Sequence, residues 1–308
     1  MTRAVISLGT NTARLLVVRE RSGGGLEQLD ARQTGTRLGE GLRDDGALAP
    51  AAMERTLTAA REFVEVARGH EAGLAAIATS AVRRASNARE FAASMREVTG
   101  VELQVLSGRA EAEASFRGAT YGSATMELTA VVDVGGGSTE CAIGRAHLVE
   151  TVRSVEIGSV RVAERFPDLM GAAPGPGARA AATSARRFIA ESLAPLRELP
   201  RPQKTICVAG TPLTIAAILL ESHVDRASGT VLSRAELDAT IRRLLSLNLA
   251  ARRALPGMLA QRADILAAGA LILSETLDVL GAESASCEAN DLLLGFLLEQ
   301  PPEAAVAK

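Results

Sequence analysis

Tryptophan is absent from this 308-residue sequence, tyrosine occurs once and phenylalanine six times. Without aromatic platforms for stacked bases, single-stranded nucleic-acid binding loses its main apolar contribution. An excess of positive charge is missing too, since Lys+Arg 34 against Asp+Glu 36 leaves a net charge of −2. No global field draws the protein onto nucleic acid or an anionic membrane, and neither is expected as a partner. Lysine is limited to Lys204 and Lys308, so nearly all positive charge is guanidinium, which forks onto phosphate oxygens. Genomic base composition explains the same bias. Cys141, Cys207 and Cys287 are odd in number and set in apolar strings, as expected of small buried hydrophobes in a reducing compartment. His70, His147 and His223 are equally scattered, which argues against a zinc motif or a Ser-His-Asp triad. The longest uncharged run, Thr205 to Leu220, falls short of the roughly 20 residues a membrane span needs. No secretory leader is recognisable before Arg3, so a cytoplasmic protein is expected.

What is present is ordinary globular sequence, 47% hydrophobic and 23% charged, long enough for two domains with a core each. Arg3 to Leu8, a Gly9-Thr10-Asn11-Thr12 turn and Arg14 to Arg19 read as a β-hairpin. Pro50 to Arg68 carries apolar residues at helical spacing, with proline at its start and Gly69 past its end. Leu74 to Ala78 reads as a strand, followed by a helix from about Asn87, where Asn87 and Glu90 have capping-box spacing. Val101 to Leu106 is a further strand and Ser107-Gly108 opens a helix to about Tyr121. Strand, polar turn and helix thus alternate, the α/β pattern.

At Ala130 the pattern restarts. The shift that carries Ser7 onto Asp133 carries Gly9 onto Gly135 and Thr12 onto Ser138, an internal pseudo-repeat. A Pro/Gly loop, Ala172 to Gly177, precedes a helix ending near Leu199, and Thr205 to Ala209 is a strand closed by Gly210-Thr211-Pro212. Helices follow at Ser233-x-x-Glu236 and at Asp264 to Leu280, the latter apolar enough to be buried. The tail from Pro301 is expected to be loose.

Three glycine turns end predicted strands: Gly9 to Thr12, Gly135-Gly136-Gly137-Ser138, and Gly210-Thr211. Each alone is compatible with a tight hairpin. Recurrence, twice within the repeat, points instead to backbone amides closing on phosphate oxygens. Asp133 and Glu140 flank the second turn and can face one crevice, a hard-oxygen pair suited to Mg²⁺. Glu140 alone also reads as a solvated strand residue, Glu111 as compensation of its helix dipole, and Arg83 as a surface charge.

These motifs together resemble the exopolyphosphatase and guanosine-pentaphosphate phosphohydrolase family, within the superfamily of actin, sugar kinases and seventy-kilodalton heat-shock ATPases. The resemblance is carried by Gly9 to Leu16, Ala78 to Arg83, Asn87 to Phe91, Ser107-Gly108 with Glu111-Ala112, Asp133 to Glu140, Gly158 with Arg161, and Arg262-Ala263-Asp264. It implies two ribonuclease-H-like (actin-like ATPase) α/β domains with an interdomain cleft, 1–124 and 125–308, the last helix packing back on the first domain. It implies that Glu111 is the catalytic carboxylate, that Arg83 contacts phosphate, that Arg14 joins the turn residues in holding phosphate, and that Asp133 and Glu140 serve Mg²⁺ and water. The implied activity is release of terminal phosphate from inorganic polyphosphate. Guanosine pentaphosphate is the rival substrate, a non-hydrolytic sensor is the alternative role, and a homodimer is left open. Three departures stand out: Ser7 where the family has aspartate, Ala209-Gly210-Thr211-Pro212 where it has paired glycines, and Glu288-Ala289-Asn290-Asp291 near the end.

Overall fold

A computed structural model describes residues 1–42, 46–172 and 174–299. Thr2–Leu8 (β1) and Thr12–Glu20 (β2) pair antiparallel, with Ser7 opposite Arg14, and the Gly9 amide closes the turn onto the Thr12 carbonyl at 3.1 Å. Leu26–Gly35 (β3) extends this meander as a third strand that the sequence reading missed. No residue of β3 is fully buried, so it lacks the apolar alternation that marks a strand. Pro50–Gly69 (α1) buries Met53, Leu57, Ala60, Val64 and Ala67. Gly73–Ala78 (β4) lies parallel to β1, and the short helix Ser80–Arg84 (α2) follows where only a turn is legible in the sequence. Asn87 precedes Ala88–Thr99 (α3) without capping it. Its side-chain amide instead bonds both backbone groups of Leu48, so the predicted capping box does not form. Leu103–Val105 (β5) pairs parallel with β4 and is shorter than the predicted strand. Gly108–Ala119 (α4) is capped by Ser107, whose hydroxyl accepts the Ala110 amide at 3.2 Å.

The second half repeats this plan. Thr129–Val134 (β6), Thr139–Arg145 (β7) and Leu148–Val155 (β8) form an antiparallel meander in which Asp133 stands opposite Glu140. Ser159–Arg165 (α5) and Pro176–Ser192 (α6) follow, α6 stopping before the predicted Leu199 because Ala194–Glu198 tightens into a 3₁₀ turn. Lys204–Val208 (β9) joins β6 in parallel and runs into Gly210–Leu219 (α7). Val231–Ser233 (β10) leads into Arg234–Ser246 (α8), whose Ser233/Glu236 capping box is formed as the sequence indicates. Leu249–Arg253 (α9), Leu266–Leu280 (α10), Ser284–Cys287 (β11) and Leu292–Glu299 (α11) complete the described chain, α10 being buried along almost its whole length. The sheet orders are β3-β2-β1-β4-β5 and β10-β11-β9-β6-β7-β8. Apart from the edge strand β10, the two halves therefore share one topology, a three-stranded meander followed by two parallel strands. The predicted loose tail from Pro301 lies outside the described residues.

Helices α1 and α3 cover one face of the first sheet, and α5, α6, α8 and α10 cover one face of the second. The remaining two faces are covered by an exchange. From α4, Ala112 and Phe116 pack on Val131, Ala142, Val152, Ile206 and Val208 of the second sheet. From α11, Leu293, Phe296 and Leu297 pack on Val5, Val18 and Ile77 of the first. Where α4 and α11 cross, a Cβ on Gly295 would lie 1.7 Å from the Ala114 carbonyl oxygen, and one on Gly118 2.0 Å from that of Asp291. Only glycine permits this approach, and it brings the strand ends of both halves to one place. Among the described residues, no helix is long and apolar enough to cross a membrane.

Candidate functional site

The turns after β1 and β6 meet across a cavity of about 70 Å³ lined by Ser7, Gly9 to Thr12, Arg14, Thr79, Glu111, Asp133 to Ser138, Ala209, Gly210 and Arg262. Each turn closes in the same way, Gly9 onto Thr12 at 3.1 Å and Gly135 onto Ser138 at 3.0 Å. The amides between them lie outside the strand ladders, free to face an anion. A Cβ on Gly137 would lie 2.5 Å from the Thr10 hydroxyl, and one on Gly158 2.4 Å from the Gly136 backbone, so glycine lets the two turns and the start of α5 converge. Thr211 is directed elsewhere, its hydroxyl toward the Val134 carbonyl at 3.4 Å, while Gly210 does reach the cavity.

Three buried carboxylates gather here. Burial pushes Glu111 up to about 7, the Asp133 charge adds to this, and the Arg83 guanidinium opposes it by a 3.0 Å hydrogen bond. Burial likewise pushes Asp133 up to about 6, helped by Asp291 and opposed by the Ser115 hydroxyl, which donates at 2.8 Å. Glu140 is raised well above the usual range by burial and by Glu111 and Asp133, opposed by the Ser154 hydroxyl, which donates to Oε1 at 2.8 Å, and by the nearby Ser138 hydroxyl. It stands behind the cavity wall with Oε2 buried and without a hydrogen-bond partner.

This donor set fits a hard cation: carboxylate oxygens, one of them unpartnered, whose mutual repulsion raises their affinity for a proton and equally for a metal ion that replaces it. Among the described residues no three His, Cys, Asp or Glu side chains stand close enough to cage an ion. Such an ion would rest on one or two carboxylates, with water and substrate oxygens completing its shell, as Mg²⁺ does.

The sequence model of one phosphatase family matches residues 16–292, nearly the whole of both halves and every turn after the first. The chain belongs to the Ppx/GppA phosphatase family. It is 34% identical over 316 residues to a protein named exopolyphosphatase 2 from Mycobacterium tuberculosis, covering 96% of this chain and 97% of that one. The crystal structure of an exopolyphosphatase from Cytophaga hutchinsonii superposes with a TM-score of 0.88 at 25% identity over 97% of each chain. The Aquifex aeolicus Ppx/GppA enzyme superposes at 0.80 with 24% identity, over 97% of this chain and 99% of that one, and so shares the fold. The expected α/β fold, built on two sheets of matching strand order, is thereby shown.

Within this Ppx/GppA site, Arg83 lies beside the cavity and holds Glu111 with Nη1, which also donates to the Leu106 carbonyl at 3.0 Å. Three partners were not singled out from sequence. Arg262 lies over Gly210, whose added Cβ would fall 2.0 Å from its Cζ, and burial lowers this guanidinium only to about 10, so it stays cationic at neutral pH. Asp291 pairs with Arg14, and Ser115 orients Asp133. The motif Arg262-Ala263-Asp264 was the available signal for the first. For Asp291 the signal was a string that departs from the family pattern.

Proposed function

We propose that the protein is an exopolyphosphatase, releasing the terminal phosphate of inorganic polyphosphate by attack of water. The observation that carries this reading is Glu111, held by Arg83 at the edge of a cavity built from two repeated amide turns. The turn amides take up the terminal phosphoryl oxygens, and Arg14 and Arg262, both lining the cavity, offset its charge. Glu111 accepts a proton from the attacking water at a carboxylate oxygen. Its raised pKa makes it a better base than an ordinary carboxylate and places the change in its protonation near neutral pH. Arg83 fixes the orientation of that carboxylate. Bound Mg²⁺ would be held at Asp133, with Glu140 behind it, and would supply charge neutralisation for the phosphoryl group. The division between the halves is placed near residue 124, between α4 and β6.

A neighbouring cavity of about 240 Å³, with Leu213 and Leu259 among its apolar walls and Gln28, Gln33 and Asn290 among its amides, offers room for a nucleobase. Guanosine pentaphosphate is therefore the second reading. The deciding assay measures phosphate released from polyphosphate, guanosine pentaphosphate and ATP, with and without Mg²⁺. Polyphosphate is expected to be cleaved fastest, and Glu111→Gln to cut turnover by on the order of 10²-fold or more while substrate still binds. Unchanged turnover in that variant removes Glu111 from the mechanism, and release from guanosine pentaphosphate alone reverses the choice of substrate.

A further inference from the structure

At the rim of the site the carboxylate of Glu156 is surrounded by cationic and hydroxyl donors from both halves. Its Oε1 accepts from Arg83 Nη2 at 2.7 Å. Its Oε2 accepts from Ser80 Oγ at 2.7 Å and lies 3.7 Å from Arg161 Nη1 and 3.9 Å from Arg84 Nε. Ser80, Arg83 and Arg84 come from α2 of the first half, Arg161 from α5 of the second. Glu156 itself is 41% exposed, more open than any of the three arginines around it. Three guanidinium groups converging on one accessible carboxylate form an anion site whose present occupant belongs to the protein.

Resting on the exopolyphosphatase reading, we propose that Ser80, Arg83, Arg84 and Arg161 form a second phosphate subsite, where Glu156 stands in for an inner phosphate of the substrate. An inner phosphate of a polyphosphate chain presents two non-bridging oxygens and one negative charge, as a carboxylate does, so it meets the same donors. Arg83 sets the order of the subsites. Its Nη1 holds Glu111 beside the terminal-phosphate cavity and its Nη2 holds Glu156, so the two anion positions are one guanidinium apart. Displacing Glu156 is feasible because its carboxylate is 41% exposed and regains water on leaving, while the incoming phosphate restores an anion to the less exposed arginines. An open groove of about 680 Å³, lined by Glu156 and Arg161 and continuing past Glu164 and Arg165, receives the displaced side chain. In this arrangement substrate competes with an internal anion that bridges the halves in its absence.

The test is calorimetric binding of tripolyphosphate and of orthophosphate, all variants carrying Glu111→Gln to prevent turnover. Adding Glu156→Gln, which keeps shape and removes charge, is expected to tighten tripolyphosphate binding about tenfold and to steepen its salt dependence, since one fewer internal anion offsets the arginines. Orthophosphate binding should not change, because a single phosphate fills only the terminal position. Arg161→Gln should weaken tripolyphosphate about tenfold, again sparing orthophosphate. Glu156→Ala distinguishes charge from shape: it should tighten binding in the same direction. Equal tripolyphosphate affinity in every variant, alongside wild-type hydrolysis of polyphosphate, overturns the subsite alone. Absence of tripolyphosphate binding throughout overturns the functional reading with it.

Discussion

Three carboxylates buried within one site put activity and stability in opposition at the level of single residues. Glu111 has its folded pKa raised to about 7 and Asp133 to about 6, both above their unfolded values of roughly 4. The fold thus favours their protonated forms. Their contribution to stability is complete below about pH 4 and is lost as pH rises through about 6 and then about 7. Water activation needs the other form of Glu111, so turnover should rise over the same interval. Between pH 5 and 8, without divalent ions in the melting experiment, kcat is expected to rise with an apparent pKa near 7 while the melting temperature falls. Glu111→Gln should remove part of that fall, leaving an inactive protein that is more stable than wild type at pH 8 by about 1–3 kcal/mol, or a few degrees. A melting profile identical to wild type across this range would show that Glu111 does not titrate as described. The acids and Arg83 were legible in sequence because each sits at a turn or helix start of recognisable pattern. Arg262 stood in a recognisable motif but without a role, and Asp291 and Glu156 had none assigned, because their partners Gly210, Arg14 and Arg83 lie far away in the chain and only the fold joins them.

At the scale of elements, legibility followed the strength of the local signal. Helices α1 and α8 show helical periodicity or a capping box, and both form as read. Strands β3 and β8 are antiparallel extensions with few buried residues, so no alternation announces them. Asn87 has the spacing of a cap, but tertiary hydrogen bonds to Leu48 claim its side chain. The exchange of α4 and α11 between the sheets depends on the contact of Gly295 with the Ala114 carbonyl, which no single-segment signal reveals. Alanine in place of Gly295 would gain about 1 kcal/mol of helix propensity, yet its Cβ would stand 1.7 Å from a backbone oxygen, and separating two packed helices costs about 1–3 kcal/mol or more. The clash prevails, so Gly295→Ala should lower the melting temperature by several degrees. Because Gly295 donates to the Asp291 carbonyl, and Asp291 pairs with Arg14 in the site, the same variant should raise KM for polyphosphate. A stable variant with unaltered KM would show that the helix crossing does not position the site.

Across the whole molecule the two halves share a topology but divide the chemistry. At equivalent register the first half sets Ser7 opposite Arg14, a hydroxyl and a cation, and the second sets Asp133 opposite Glu140, two acids. On the proposed reading, Arg14 of the first half meets phosphate charge together with Arg262 of the second, and a divalent cation would be held by the acids of the second half. Ser7 is 3% exposed and lines the cavity, so it can orient a water but adds no Coulomb attraction to a cation. An aspartate there would join Glu111, Asp133 and Asp291 in a partly desolvated space, where like charges about 4 Å apart repel by about 4 kcal/mol at an effective dielectric of 20. Arg14 and Arg262 offset only part of this. Ser7→Asp is therefore expected to melt below wild type in the absence of Mg²⁺. The same charge strengthens cation binding, and a ligand bound to the folded state raises its stability in proportion to the logarithm of its occupancy ratio. On titration with Mg²⁺ the variant should gain more in melting temperature than wild type, and its phosphate release should half-saturate at lower Mg²⁺. Parallel Mg²⁺ shifts in the two proteins would mean that the second half holds the ion unaided, and the division of charge between the halves would then have no part in metal binding.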